Sequence, residues 1–353
     1  MSESTYGLPP PRARSRLQRA VMWGLLALVV LALLAAGFGW LAWKSLLSMP
    51  GTSHRGPLPP PDEALEQLTA ELRADVEALA GRIGQRHPLS EPNGFARAAD
   101  WVERRLASIG YAVESQQYRL AGFPAWNFQA EVPGTRSDEI VIVGAHYDSA
   151  ANTPGANDNA SGVAALVALA QRFSGRHVDR TVRFVAFAAE EMPFFQTEKM
   201  GSWVYARKCR RQGDRVVAMI NLETIGYYTD VPRSQRYPLL VGPLYPSTGN
   251  FVAIVGDPAS AALVRRVVAT FRRSEPFPCE GAALPRLVPE VGFSDHWAFW
   301  QEGYPAVMVT DTAMFRYPYY HQPEDTPEKV DYERLARVVR GLEQVVLDLA
   351  TCQ

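Results

Sequence analysis

A chain of 353 residues, 47% of them apolar, can bury a sizeable core and is too apolar to stay disordered; it should fold as one large domain or two small ones. The formal net charge is -1 at pH 7, and positive charge crowds only at the N-terminus, in Arg12, Arg14, Arg16 and Arg19. No comparable basic stripe recurs, which excludes nucleic acid as a partner.

Residues 20–43 read AVMWGLLALVVLALLAAGFGWLAW, without a charge and with Trp23, Trp40 and Trp43 near the two ends. That exceeds the ~20 apolar residues a helix needs to span a bilayer and places aromatic rings at the interfaces. A buried core helix is the plain alternative. A cleaved signal peptide shares the order of basic region before apolar region, but its apolar part runs to only ~7–15 residues. The reading is an uncleaved transmembrane signal anchor at 20–43 behind a basic cytoplasmic tail, 1–19. Arginines before the segment and the single Lys44 directly after it orient the N-terminus inward. The rest of the chain then lies outside the cytoplasm, in the periplasm or beyond. Residues 51–62, GTSHRGPLPPPD, cannot build a helix and make 44–61 a semi-stiff linker, so the folded domain is expected over 62–353. The three cysteines, Cys209, Cys279 and Cys352, fit no zinc or redox spacing and leave room for one disulfide of unread connectivity.

Inside the domain, helical spacing marks residues 62–82 and 93–109, the second opening at an Asn93 cap and closing at Gly110. Strands follow near 114–120, 125–132 and 139–145, then helix 160–174, strand 181–188, helix 199–211 and strand 216–222. Helices 258–273 and 294–302, strand 305–310 and a last helix over 332–349 complete the pattern. Strands 139–145, 181–188, 216–222 and 305–310 are short, nearly continuous apolar runs, as expected of strands covered on both faces. The fold class is therefore α/β, with helices on both faces of a mixed, mainly parallel central sheet, preceded by one transmembrane helix.

Acidic residues and histidines recur where apolar runs stop: His146 and Asp148, Asp158, Glu190 and Glu191, Glu223, and His321. In such sheets ligands gather beyond the carboxyl ends of the strands. So many carboxylates and imidazoles would be costly to desolvate together unless one or two metal ions gather them. Asp148 sits two residues after His146, suited to hold the second ring nitrogen of a ligating imidazole. Asp158 precedes a helix in a Gly- and Asn-rich turn and reads either as a helix-end partner or as a carboxylate bridging two metals. Neighbouring Glu190 and Glu191 diverge at a strand end, so that one can bind metal while the other faces a water.

The ordered set GAHYDS, ANDNASG, AAEE, NLETIG, SDHWAF and YHQPEDT resembles the zinc exopeptidase family of co-catalytic bacterial aminopeptidases, glutamate carboxypeptidases, glutaminyl cyclases and transferrin-receptor-like domains. The resemblance covers residues 68–349. It implies a metallopeptidase domain binding two Zn2+ ions, His146 and Glu223 on one, Glu191 and His321 on the other, with Asp158 bridging. Glu190 would be the general base, Asp148 the partner of His146, and Asp295 a residue near the substrate, with His296 beside it structural. Glu223 stands where most two-zinc members have aspartate, so the resemblance specifies that site less firmly. No protease-associated insert is visible, which argues against the glutamate carboxypeptidase architecture.

The expected function is a membrane-anchored zinc exopeptidase acting on peptides, an aminopeptidase above all. The alternatives are a glutaminyl cyclase-like acyltransferase with one zinc and a non-catalytic receptor-like domain. Residues 227–289, rich in Tyr, Pro and Arg, are expected to wall the pocket. Arg316, close to His321 in sequence, reads either as a carboxylate binder or as a core brace. Oligomeric state is not legible.

Overall fold

The structure, a computed structural model, describes residues 16–238 and 241–351. The chain divides into two units, Met1–Ser45 and Leu46–Gln353. The first is built on helix α1 (Arg16–Leu46). Its stretch Gln18–Lys44, with an 18-residue window of mean hydropathy 2.5, is long and apolar enough to cross a membrane. Trp40 and Trp43 stack at 5.4 Å near its end. Most of the expected basic tail lies outside the described residues.

The second unit opens with α2 (Glu63–Val76), continued by a π-helical segment, Glu77–Ile83, and α3 (Pro92–Ser108). Asp62 caps α2 by accepting from the Leu65 N–H at 2.8 Å. The start of α3 differs from expectation. Glu91 occupies the cap without a side-chain bond, Pro92 takes the first turn and Asn93 lies inside the helix. Proline's fixed φ suits the first helical position, and that moves the start forward. Gly110, at φ +104, follows the helix end as expected.

Next come β1 (Glu114–Leu120), β2 (Phe123–Val132), β3 (Arg136–His146), α4 (Gly162–Phe173), β4 (Arg180–Phe187), α5 (Gly201–Gln212) and β5 (Arg215–Glu223). β6 (Val252–Gly256), α6 (Ala261–Ser274), β7 (Cys279–Ala283), α7 (His296–Gln301), β8 (Ala306–Thr310) and α8 (Tyr332–Ala350) complete the unit. One eight-stranded sheet runs β1-β2-β4-β3-β5-β8-β6-β7. Its centre, β4-β3-β5-β8, is parallel, and those are the four strands expected from their apolar runs. β6 and β7 had not been expected. β6 pairs antiparallel with β8 and parallel with β7, which makes the sheet mixed.

Alternation along β3 shows how the layers form. Val141 and Val143 enter the larger core, against α4 and α8. Ile140 and Ile142 enter the smaller one, in the layer of α5 and α7. The period of two sends successive side chains to opposite faces, and both faces are covered.

The expected linker is not free. Leu46, Met49 and Leu58 pack against the larger core, and the domain begins at Leu46 rather than near Pro61. Arg272 of α6 donates to the carbonyls of Pro50 (3.1 Å), Gly51 (3.2 Å) and Cys279 (2.9 Å) and to Glu280 Oε2 (3.0 Å). The Cys279 N–H donates to Ser53 Oγ at 3.0 Å and Arg337 to Pro59 O at 2.6 Å. β7 is an edge strand, and this strap satisfies polar groups that an edge leaves open. Cys209 and Cys279 are free and buried; Cys352 lies outside the described residues. A soluble chain beginning at Leu46 should therefore unfold about 5 °C or more above one beginning at Asp62. Equal thermal midpoints would rule out a stabilising strap.

Candidate active site

β3 has parallel neighbours on both sides, so the connections leaving β3 and β5 diverge and a crevice opens at the carboxyl ends. His146 ends β3 and Glu223 ends β5. Glu190 and Glu191 follow β4, Asp158 lies in the turn before α4, and His321 follows β8 on a loop. Nε2 of His146 is 3.2 Å from Glu223 Oε2 and 3.5 Å from Asp158 Oδ1. Nε2 of His321 is 3.0 Å from Asp158 Oδ2 and 3.5 Å from Glu191 Oε2. Two three-residue groups result, His146–Asp158–Glu223 and Asp158–Glu191–His321, each with ligand atoms within 4.8 Å of one another. Asp158 belongs to both through different oxygens. Asp158 Oδ1 and Glu191 Oε1 are buried without a hydrogen-bond partner. An imidazole with two carboxylates, carrying unsatisfied lone pairs, is a donor set that fits zinc in each group.

Loops deliver these groups under visible constraint. Ala189, Thr224 and His321 take positive φ values of 55°, 43° and 56°, a region side chains other than glycine rarely adopt. Asp148 accepts from the backbone N–H of Glu190 and of Glu191, both at 3.1 Å, and lies 3.4 Å from Nδ1 of His146. It thus joins the end of β3 to the segment after β4. Asp325 accepts from the N–H of Asn157 (2.8 Å) and Asp158 (3.1 Å) and from the Tyr317 hydroxyl (2.7 Å). It joins the His321 loop to the Asp158 turn.

Burial pushes the Glu190 carboxyl well above its usual range, with His146 opposing and Glu191, Glu223 and Asp295 reinforcing. Burial and Asp158 raise Glu191 to about 8, and burial and Asp158 likewise raise Glu223. Burial would lower His321, but Asp158 and Glu191 carry it up to about 9. Asp158 goes the other way: although burial opposes it, the His146 and His321 imidazoles facing it hold it well below the carboxylate range. Left to protons, the cluster binds them tightly; metal cations would take their place.

Residues 127–346 match the family described as Peptidase family M28. The chain belongs to peptidase family M28. YfbL of Escherichia coli K12, named as an uncharacterized protein, is 39% identical over 298 residues, 81% of this chain and 88% of its own. A probable leucine aminopeptidase of Arthroderma otae is 27% identical over 308 residues, 76% of this chain and 75% of its own. BSAP, a zinc aminopeptidase from Bacillus subtilis, shares the fold with a TM-score of 0.65 at 15% identity, covering 80% of this chain and 95% of that one.

Around the M28 site, Asp295 is fully buried at the start of α7, beside Ser202, with neither oxygen in a well-formed hydrogen bond; burial raises it to about 7. Arg316 is a core brace: buried, it donates to Gln235 Oε1 (2.8 Å) and Phe251 O (2.7 Å) and lies over the Phe251 ring. Sequence reasoning missed Tyr320, whose ring stacks on His321 at 3.9 Å. Adjacency to a candidate ligand was the one available signal. Tyr320 and Glu223 open onto a cleft lined by Tyr237, Phe251, Val255, Met308 and Phe293 among others. Part of its wall comes from residues 227–289, as expected, the β6–β7 pair included, and the rest from Glu223 and residues 290–320.

His296 has its Nε2 2.7 Å from Val291 O and a ring edge on Trp300 at 4.6 Å. Burial lowers its pKa to about 4, with Val291 and Asp257 opposing. The unfolded chain takes this proton near pH ~6.5. The neutral ring's contribution is therefore complete above that pH and is lost as pH falls toward about 4. In His296→Gln the dependence of unfolding free energy on pH across this window should flatten by up to about 1.4 kcal/mol per pH unit. An unchanged slope would refute the assignment.

Proposed function

We propose that this M28 peptidase is a zinc-dependent exopeptidase, an aminopeptidase favouring apolar N-terminal residues, with His146, Asp158 and Glu223 holding one ion and Asp158, Glu191 and His321 a second. The observation that carries the reading is Asp158, shared by two complete donor groups with Glu190 beside them. Zinc bound there would supply Lewis acidity toward the scissile carbonyl and a more acidic water.

The chain's own residues do the rest. Glu190 is the general base: its raised affinity for a proton matches a group that takes one from water and returns it to the leaving amine. Asp148 orients His146 through the second ring nitrogen and Glu190 through its backbone N–H. Burial, then Asp158 and the neighbouring glutamates, keep the Tyr320 hydroxyl protonated, and it donates to the oxygen that gains charge. The apolar cleft receives the side chain next to the cleaved bond. Two full donor groups favour a hydrolase over a one-zinc cyclase, since cyclisation needs no water nucleophile, and over a receptor domain, which has no need of a base.

Zinc-loaded protein should hydrolyse aminoacyl chromogenic amides, leucyl and phenylalanyl ahead of glycyl, and lose activity to a chelator. Glu190→Gln should cost ~100- to 10,000-fold in kcat with zinc content unchanged. Full zinc content with no turnover on any amide would shift the reading to a cyclase or a binding domain. Tyr320→Phe should lower kcat about 100-fold with little change in KM; an effect on KM alone would assign the ring to substrate binding.

The same proposal places α1 in a membrane, N-terminus inward, from its length and the arginines ahead of it. Leu287 is 93% exposed, so a Leu287→Cys variant in spheroplasts should react with an impermeant maleimide. Labelling only after lysis would reverse the orientation.

A further inference from the structure

Arg86 is fully buried and takes no part in the proposed chemistry. Among the described residues no carboxylate lies within ion-pair distance of it. Its guanidinium donates instead to backbone carbonyls: Tyr147 (2.8 Å), Gly155 (2.7 Å), Gly84 (3.2 Å) and Pro154. Its own N–H donates to Ser149 Oγ at 3.1 Å. Residues 147–155 are thus wound around one planar cation and gripped at both ends. Asp148 lies just inside one end, and Asp158 follows the other by three residues.

Gly155 shows how close the approach is. Its φ is +61°, and an added Cβ would stand 3.1 Å from Arg86 Nη2 and 2.3 Å from Asp158 O. The carboxylates that act on the guanidinium from farther off are Asp325, Asp148, Asp158 and Glu191, two of them proposed zinc ligands. A guanidinium satisfied by carbonyls leaves those carboxylates free for another partner while still offsetting their charge.

We propose that Arg86 is a positioning residue for the metal centre: it fixes the loop that sets Asp148 against Asp158 and supplies a permanent positive charge beneath the carboxylates, so that the site is assembled before metal arrives. This rests on the ligand assignment proposed above. Lysine keeps the charge but not the planar fork that reaches four carbonyls.

The test is zinc binding by the full-length protein in detergent, with affinity from competition against a chromogenic chelator and stoichiometry from elemental analysis. Arg86→Lys should weaken zinc about 10- to 100-fold, and Arg86→Met further, both with wild-type far-ultraviolet circular dichroism. Millimolar guanidinium chloride should restore affinity to Arg86→Ala. Folded Arg86→Lys and Arg86→Met binding zinc as tightly as wild type would overturn the proposal. A wild type that takes up no zinc would sink the ligand assignment and the proposal with it. Should the variants fail to fold, hydrogen exchange on metal-free wild type decides. Amides of residues 147–158 as protected without zinc as with it support a site assembled by Arg86, and protection that appears only with zinc overturns it.

Discussion

The structure turns on one electrostatic constraint: Asp148, Asp158, Glu190, Glu191, Glu223, Asp295 and Asp325 are all buried around one crevice. Like charges out of water repel strongly and lose their hydration, so such a cluster stands only where cations, imidazoles or amide donors face it. The chain meets the constraint in two ways. Carboxylates that meet the imidazoles keep unsatisfied oxygens, as Asp158 and Glu191 do. Those behind them are spent on backbone N–H groups. Asp148 takes those of Glu190 and Glu191, Asp325 those of Asn157 and Asp158, and Asp311 those of Tyr227 and Ala313.

Each of these clamps joins two loops that leave different strands. The parallel strands bring the loops to one end of the sheet, and the clamps fix their heights there. The same bonds make strained conformations such as Thr224 at φ 43° tolerable, since that residue's N–H is held by Asn159 Oδ1 at 3.1 Å. Precision at the site therefore comes less from the strands than from short carboxylate–amide links that only the folded chain can form.

That division explains what the sequence disclosed. β3, β4, β5 and β8 were legible because strands buried on both faces need unbroken apolar runs, and the convergence of His146, Glu190, Glu191 and Glu223 followed from where those runs stop, whereas the resemblance to zinc exopeptidases was what added Asp158 and His321 as ligands. β7 was not legible, because CEGAA has no β-branched residue and is held by Arg272 and the strap. The strap reads as a spacer since proline-rich composition says nothing about carbonyls accepting from Arg272 and Arg337, more than two hundred residues away. Arg86 gave no signal for the same reason, and the roles of Asp325 and Ser294, inside YHQPEDT and SDHWAF, stayed unread, since each is contact between distant loops. Arg316 was ambiguous until the Phe251 carbonyl and ring closed around it.

Glu223 is the sharpest case of sequence and structure read together. An extra methylene in place of the usual aspartate could have swung the carboxylate out of its group, and that was the one feature of the sequence favouring a one-metal enzyme. Ser294 prevents it: its hydroxyl donates to Glu223 Oε2 at 2.6 Å and accepts from Asn221 Nδ2 at 2.7 Å. Asn221 lies on the same strand as Glu223, and Ser294 directly precedes Asp295, so a relay from β5 to the start of α7 and back pins the longer side chain. Oε2 stays 3.2 Å from His146. A hydroxyl donor on one oxygen also lowers the cost of holding that carboxylate charged in a buried site. The longer residue is thus accommodated by its neighbours.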